Sequence, residues 1–191
     1  MNGLAWIFLS TLLVNNFTLV MFLGLCSFFG VTSKIDTAWR LGAANTFVLI
    51  ITALSVWFLN TFVLAKTPFL RTIAFIICIA STVQIVEMII KKFSPTLFRE
   101  LGIYLPLITT NCAILALAFF QTTRGYNLIE GVVFALGAGL GLTLALTLMA
   151  SIRERMDVAD VPAMARRMGL ILVVASCMSM AFMGFAGLGS S

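Results

Sequence analysis

The sequence predicts an all-α membrane protein, six transmembrane helices arranged as a 3+3 inverted repeat in which helices one and four are broken. Three observations predict it. Of the 191 residues, 61% are hydrophobic and 10% charged, against roughly 45–50% and 25% in a soluble domain. The charges fall between long apolar runs. Two of those runs also carry asparagine, with glycine or proline nearby, close to a cysteine. A soluble fold of this size would lack the polar side chains needed to cover its surface. That excludes a soluble enzyme, a nucleic-acid binder and a disordered chain, and the mean hydropathy of +1.12 agrees. The chain has no histidine, which removes His-based catalysis and His-ligated metals. Four cysteines remain as the soft ligands.

A helix needs about 20 residues to cross an apolar core of roughly 30 Å. Segments with no charge, or one, therefore give spans at about 5–29, 41–64, 69–90, 102–120, 130–151 and 169–188. The first lacks a basic leader and is interrupted by Asn15 and Asn16, so it reads as a retained membrane segment and not a signal peptide. The third holds Glu87 one turn before Lys91, the spacing of an interfacial ion pair. The fourth contains Pro106, Thr109, Thr110 and Asn111. The fifth contains GAGLG at 137–141, which follows no soluble strand and reads as helix packing through small residues, not a dinucleotide loop. Between the fifth and sixth, the stretch from Arg153 to Arg167 reads as a solvated loop, with a short interfacial helix turned at Pro162 as the alternative.

Orientation follows from the basic residues. Lys34, Arg40, Lys91, Lys92, Arg99, Arg153, Arg155, Arg166 and Arg167 follow the odd-numbered spans, whereas Lys66, Arg71 and Arg124 follow the even-numbered ones. The positive-inside rule places the larger set in the cytoplasm, which puts both termini in the periplasm of a bacterial inner membrane. The chain is one membrane domain, 1–191, with halves of about 1–92 and 99–191. Three spans per half is an odd number, so the halves enter the membrane from opposite sides, as in an inverted repeat.

Spans one and four look discontinuous. Asn15, Asn16 and Asn111 are costly in lipid unless paired. Pro106 leaves a carbonyl of the preceding turn without its helical donor. Thr109, Thr110 and Asn111 can bond backbone groups that a break releases, and Gly24 permits a local break or a close approach. Cys78, in IICIAS, and Cys177, in VVASCMSM, read as small apolar filler. Cys26 and Cys112 sit beside the breaks, where freed backbone N–H groups stabilise thiolates. A [2Fe–2S] cluster takes four ligands, so either all four cysteines converge or a partner chain supplies two. The same residues leave open a stand-alone transporter, with a midplane site of Asn15, Asn16, Thr109, Thr110 and Asn111, and a purely structural anchor.

The segments LVNNFTLVMFLGLC, LGIYLPLITTNCAILALA, IRERMDVADVP and SMAFMGFAGL closely resemble the Rnf/Nqr family of membrane subunits, over nearly the whole chain. The VNNF and GLC forms, and the short link between spans two and three, resemble the A-type branch of bacterial Rnf complexes more than the E-type branch of the sodium-pumping Nqr complex. The resemblance implies one half of a pseudo-symmetric pair whose partner is a homologous membrane protein, the E-type member of the Rnf complex. It implies a [2Fe–2S] cluster at the interface, with two cysteines from each member. The matching positions here are Cys26 and Cys112, supported by Gly24, Thr110 and Asn111. It further implies a multisubunit translocase in the bilayer, moving electrons between NADH and ferredoxin or flavodoxin and coupling them to Na+ or H+ movement. Other subunits would carry the flavin and remaining iron–sulfur centres. Family members often have proline after the first cysteine; this chain has Ser27, which alters the local break and leaves the thiolate in place.

Overall fold

A computed structural model describes residues 2–14, 19–26, 30, 35–62, 71–93, 108, 111–158 and 168–186. Six helices run through them. Helix α1 (Asn2–Leu9) widens into a π-helical turn at Ser10–Val14. Then follow α2 (Ile35–Phe62), α3 (Arg71–Phe93), α4 (Cys112–Thr123), α5 (Leu128–Val158) and α6 (Met168–Ala186).

Local chemistry sets the helix ends. Asp36 lies in the first turn of α2 and Lys91 and Lys92 in the last turn of α3, each placed to offset the helix dipole. Between α4 and α5 the chain turns in four residues. Gly125 has φ +63°, a left-handed conformation that costs glycine little. It lets the Tyr126 N–H donate to Gln121 O at 3.2 Å and the Gly125 N–H to Thr122 O at 3.3 Å, the two bonds of a Schellman C-terminus. The α5 start follows at once. The Glu130 carboxylate accepts from the Asn127 N–H at 3.1 Å, the backward half of a capping box.

The core is the antiparallel pair α2 and α5. Gly42 packs on Thr143, and Gly139 packs on Thr46; a Cβ at either glycine would lie 2.6 or 2.7 Å from the facing threonine. Each threonine hydroxyl donates to the carbonyl four residues back, Thr46 to Gly42 O and Thr143 to Gly139 O, both at 2.8 Å. The polar atoms are thus satisfied on their own helices, and the backbones approach closely. Helix α1 crosses α5 at Gly137, where a Cβ would lie 3.0 Å from Phe8 O. On the far side of α2, α3 and α4 pack together, with buried Phe75 edge-on to Phe119 at 5.9 Å. The outer faces are apolar: Trp39, Phe47 and Phe58 on α2, Ile73, Ile77 and Met88 on α3, Leu172, Val173 and Met180 on α6 are exposed. Such a surface suits lipid or a protein neighbour, not water.

The six-span, 3+3 expectation is corrected. Among the described residues three helices are long and apolar enough to cross a membrane, Ile35–Phe62, Thr72–Ile89 and Leu128–Met156. Two fall in the first half and one in the second, so the equal halves are not found. The apolar helices Gly3–Leu12, Cys112–Thr123 and Gly169–Gly184 are shorter; twelve residues reach roughly 18 Å. The reasons are local. Helix α1 loosens into its π-helical turn just before Asn15, and α4 begins only at Cys112 because Asn111 caps it. The even count that tied both termini to one side goes with the six spans. Nor is all of 153–167 a loop: α5 continues to Val158.

Candidate cysteine site

The site is built where residues 19–26 meet the start of α4. Leu19 is buried and anchors the segment. Phe22 has φ 55° and Gly24 φ +83°. Positive φ is uncommon for a bulky residue, so this segment leaves the helical path twice within three residues. The result is a backbone donor aimed at sulfur: the Gly24 N–H lies 2.8 Å from Cys112 Sγ. A side chain at Gly24 is disfavoured twice over, by its φ and because a Cβ would lie 3.2 Å from Asn111 Oδ1.

Asn111 organises the other side. It is 4% exposed and occupies the N-cap of α4, with φ −72° and ψ 114°. Its Oδ1 accepts from the Ala113 N–H at 3.1 Å, which satisfies one of the donors a helix start leaves open. That bond fixes the amide, and Nδ2 then donates to Asn45 Oδ1 on α2 at 3.4 Å. Cys112 is half-buried and is the first residue of α4. Its sulfur therefore sits at the positive end of the helix dipole and beside the Gly24 donor.

Cys26 lies two residues beyond Gly24 and is exposed. The structure therefore brings Gly24, Asn111 and Cys112 into contact and leaves Cys26 on the same segment, at the surface. Thr110 lies outside the described residues, as do Asn15, Asn16, Pro106 and Thr109. Cys78 is half-buried on α3, in a cleft of about 430 Å³ with Leu54, Ser55, Phe58, Leu59 and Thr82. Cys177 is exposed on α6. Among the described residues no three of Cys, Asp, Glu or His gather as a metal site, so the four cysteines do not converge within this chain.

The donor set suits a group that takes thiolate ligands and backbone N–H bonds to sulfur, as iron–sulfur clusters do. Sequence reading missed Asn45, the fully buried partner of Asn111, and Gln121, which is 3% exposed and donates through Nε2 to Ala53 O at 3.0 Å. Each is a lone amide inside an apolar run, and that was the available signal.

The profile of the family described as "Rnf-Nqr subunit, membrane protein" matches residues 4–189. Three similar proteins are each named as the A component of an ion-translocating oxidoreductase complex. That of Sodalis glossinidius is 47% identical over 190 residues, 98% of each chain. That of Serratia proteamaculans is 50% identical over 184 residues, 95% of each chain. That of Actinobacillus pleuropneumoniae is 52% identical over 182 residues, 94% of each chain.

Proposed function

The chain belongs to the Rnf-Nqr family of membrane subunits, and from that premise we propose that it is an electron-carrying component of an ion-translocating oxidoreductase complex. It shares a [2Fe–2S] cluster with a homologous membrane partner, the E-type member of the Rnf complex. Cys26 and Cys112 would hold two of the four ligand positions, and the partner the other two. The cluster, when bound, supplies one-electron oxidation and reduction.

This chain's residues do the rest by position. The Gly24 N–H donates to Cys112 Sγ; that contact, at 2.8 Å, is the observation that carries the reading. Asn111 holds the first turn of α4 so that Cys112 stays at the helix N-terminus. It is a positioning residue, with both polar ends of its amide already committed to Ala113 and Asn45. Cys26, exposed, is where a second chain can reach. Hydride chemistry with NADH and exchange with ferredoxin or flavodoxin belong to the flavin and iron–sulfur subunits of such a complex. Electron flow through this chain is coupled to Na+ or H+ movement. Because α2 and α5 are antiparallel, Arg40 shares one end of the pair with Arg153 and Arg155, and the positive-inside rule puts that end in the cytoplasm of a bacterial inner membrane.

The test is iron and acid-labile sulfide in the two homologous membrane subunits, co-purified from the intact complex. About two of each per pair are expected for one shared [2Fe–2S] cluster, with an electron paramagnetic resonance signal after dithionite reduction. A pair that is pure, assembled and free of iron would overturn the proposal.

A further inference from the structure

Three buried polar atoms have no hydrogen-bond partner among the described residues: Asn45 Nδ2, Thr52 Oγ1 and Gln121 Oε1. Their residues are between 0% and 3% exposed. Leaving such atoms dry is costly in any protein interior. The surrounding bonds fix which atoms are left over. Asn111 is held by the Ala113 N–H, so its Nδ2 must meet Asn45 Oδ1, and Asn45 Nδ2 faces elsewhere. Gln121 Nε2 is held by Ala53 O, which leaves Oε1.

The three lie along one seam. Helices α2 and α4 run parallel there, with Asn45 beside Asn111 at one level and Ala53 beside Gln121 at the next. Asn45 and Thr52 are seven residues apart, two turns or roughly 10 Å, and so share a face. At the Gln121 end the seam meets a cleft of about 200 Å³, lined by Trp57, Asn60, Gln121, Tyr126 and Asn127 among others. Beside it the Arg124 guanidinium rests 5.7 Å from the Phe120 ring centre and donates to Tyr126 Oη at 3.0 Å.

We propose that this cleft continues inward along Gln121 and Thr52 as a file of bound water that ends at Asn45, against the amide of Asn111 that caps the Cys112 helix. The chemistry selects the occupant. Asn45 Nδ2 needs an acceptor, Gln121 Oε1 needs a donor, and Thr52 takes either. A bare cation satisfies Gln121 and Thr52 but not the Asn45 amide, and it meets Arg124 beside the mouth. An anion fails at Gln121. Water serves all three, in a polar site with enough partners to hold it. The path opens at the end of the α2–α5 pair away from Arg40 and Arg153, and the Asn45–Asn111 bond closes its inner end. It brings water, and protons that water relays, up to the amide pair behind the cysteine loop, from one membrane face only. Such access is separate from electron transfer and requires no cluster.

Two measurements test it in the full complex. The first uses the unaltered protein: X-ray radiolysis of water generates hydroxyl radicals, and side-chain oxidation is read by mass spectrometry. Val56 lines the cleft, and Leu49 lies between Asn45 and Thr52 on the same face; both are buried, as is Leu146 on α5. Oxidation of Leu49 and Val56 at least tenfold above Leu146 is expected. Labelling of all three at one low level overturns the path, and labelling at Val56 alone overturns its inward continuation. The second places Gln121→Cys in sealed vesicles of either orientation and adds sodium (2-sulfonatoethyl) methanethiosulfonate, which does not cross the bilayer. Modification from the face bearing Arg124, with Leu54→Cys on the outer face of α2 inert, is expected. Equal modification from both faces, or none, overturns one-sided access.

Discussion

Helix α2 has two inner faces that treat polar atoms in opposite ways. Toward α5, Gly42 and Thr46 meet Thr143 and Gly139 in a reciprocal fit, and both hydroxyls bond their own helix. Toward α4, Asn45 and Thr52 are fully buried, yet each keeps a polar atom without a partner among the described residues. One face holds the molecule together by close packing, and the other positions the cysteine loop through amides. The difference teaches that burial alone does not tell a structural polar residue from a functional one. What tells them apart is whether the residue's own helix already satisfies it.

Substitutions that disturb the packed face should have the largest effect on stability. Gly42→Ala puts a Cβ where Thr143 already stands, and a loss of roughly 1–3 kcal/mol is expected. Gly42→Leu should abolish assembly of the complex, measured by co-purification of its membrane subunits. The exchange Gly42→Thr with Thr143→Gly should recover much of what Gly42→Thr alone loses, because the fit is reciprocal. Failure of the exchange would break the account of this face.

A middle-sized effect is expected on the amide face. Asn111→Leu removes the cap of α4 and strands Asn45, for roughly 1–3 kcal/mol. Asn111→Asp keeps the acceptor and loses the donor, so it should restore part of the thermal stability. If Leu and Asp behave alike, the capping bond is not what matters. The smallest effect should come from Thr46→Val. Its hydroxyl bonds only its own backbone, so less than about 1 kcal/mol is expected. A thermal melt of the complex reads all of these on one scale.

Much of this was legible in the sequence, and the failures have physical causes. The charge-free runs located α2, α3 and α5, but dividing the chain at charges cut helices short where charges belong inside them. Asp36 and Arg40 lie within α2, and Arg153 and Arg155 within α5. Run four was apolar enough to span, yet apolarity does not make a helix where Asn111 offers the backbone another bond, as the cap of α4. The polar interruption marked the neighbourhood of Cys112. The Asn111–Asn45 bond joins residues 66 positions apart, and no local pattern reports such a pairing. Asn45 and Gln121 were passed over because each was averaged into the apolar segment around it.

The central claim is that Cys26 and Cys112 are cluster ligands while Cys78 and Cys177 are packing residues. Four single Cys→Ala variants of the intact complex, each checked for equal amounts of both membrane partners, test it by iron content and by electron paramagnetic resonance after dithionite reduction. The [2Fe–2S] signal should vanish in the Cys26 and Cys112 variants, since at most three of four thiolates remain, and persist at full strength in the Cys78 and Cys177 variants. A full signal in either of the first two would contradict the account.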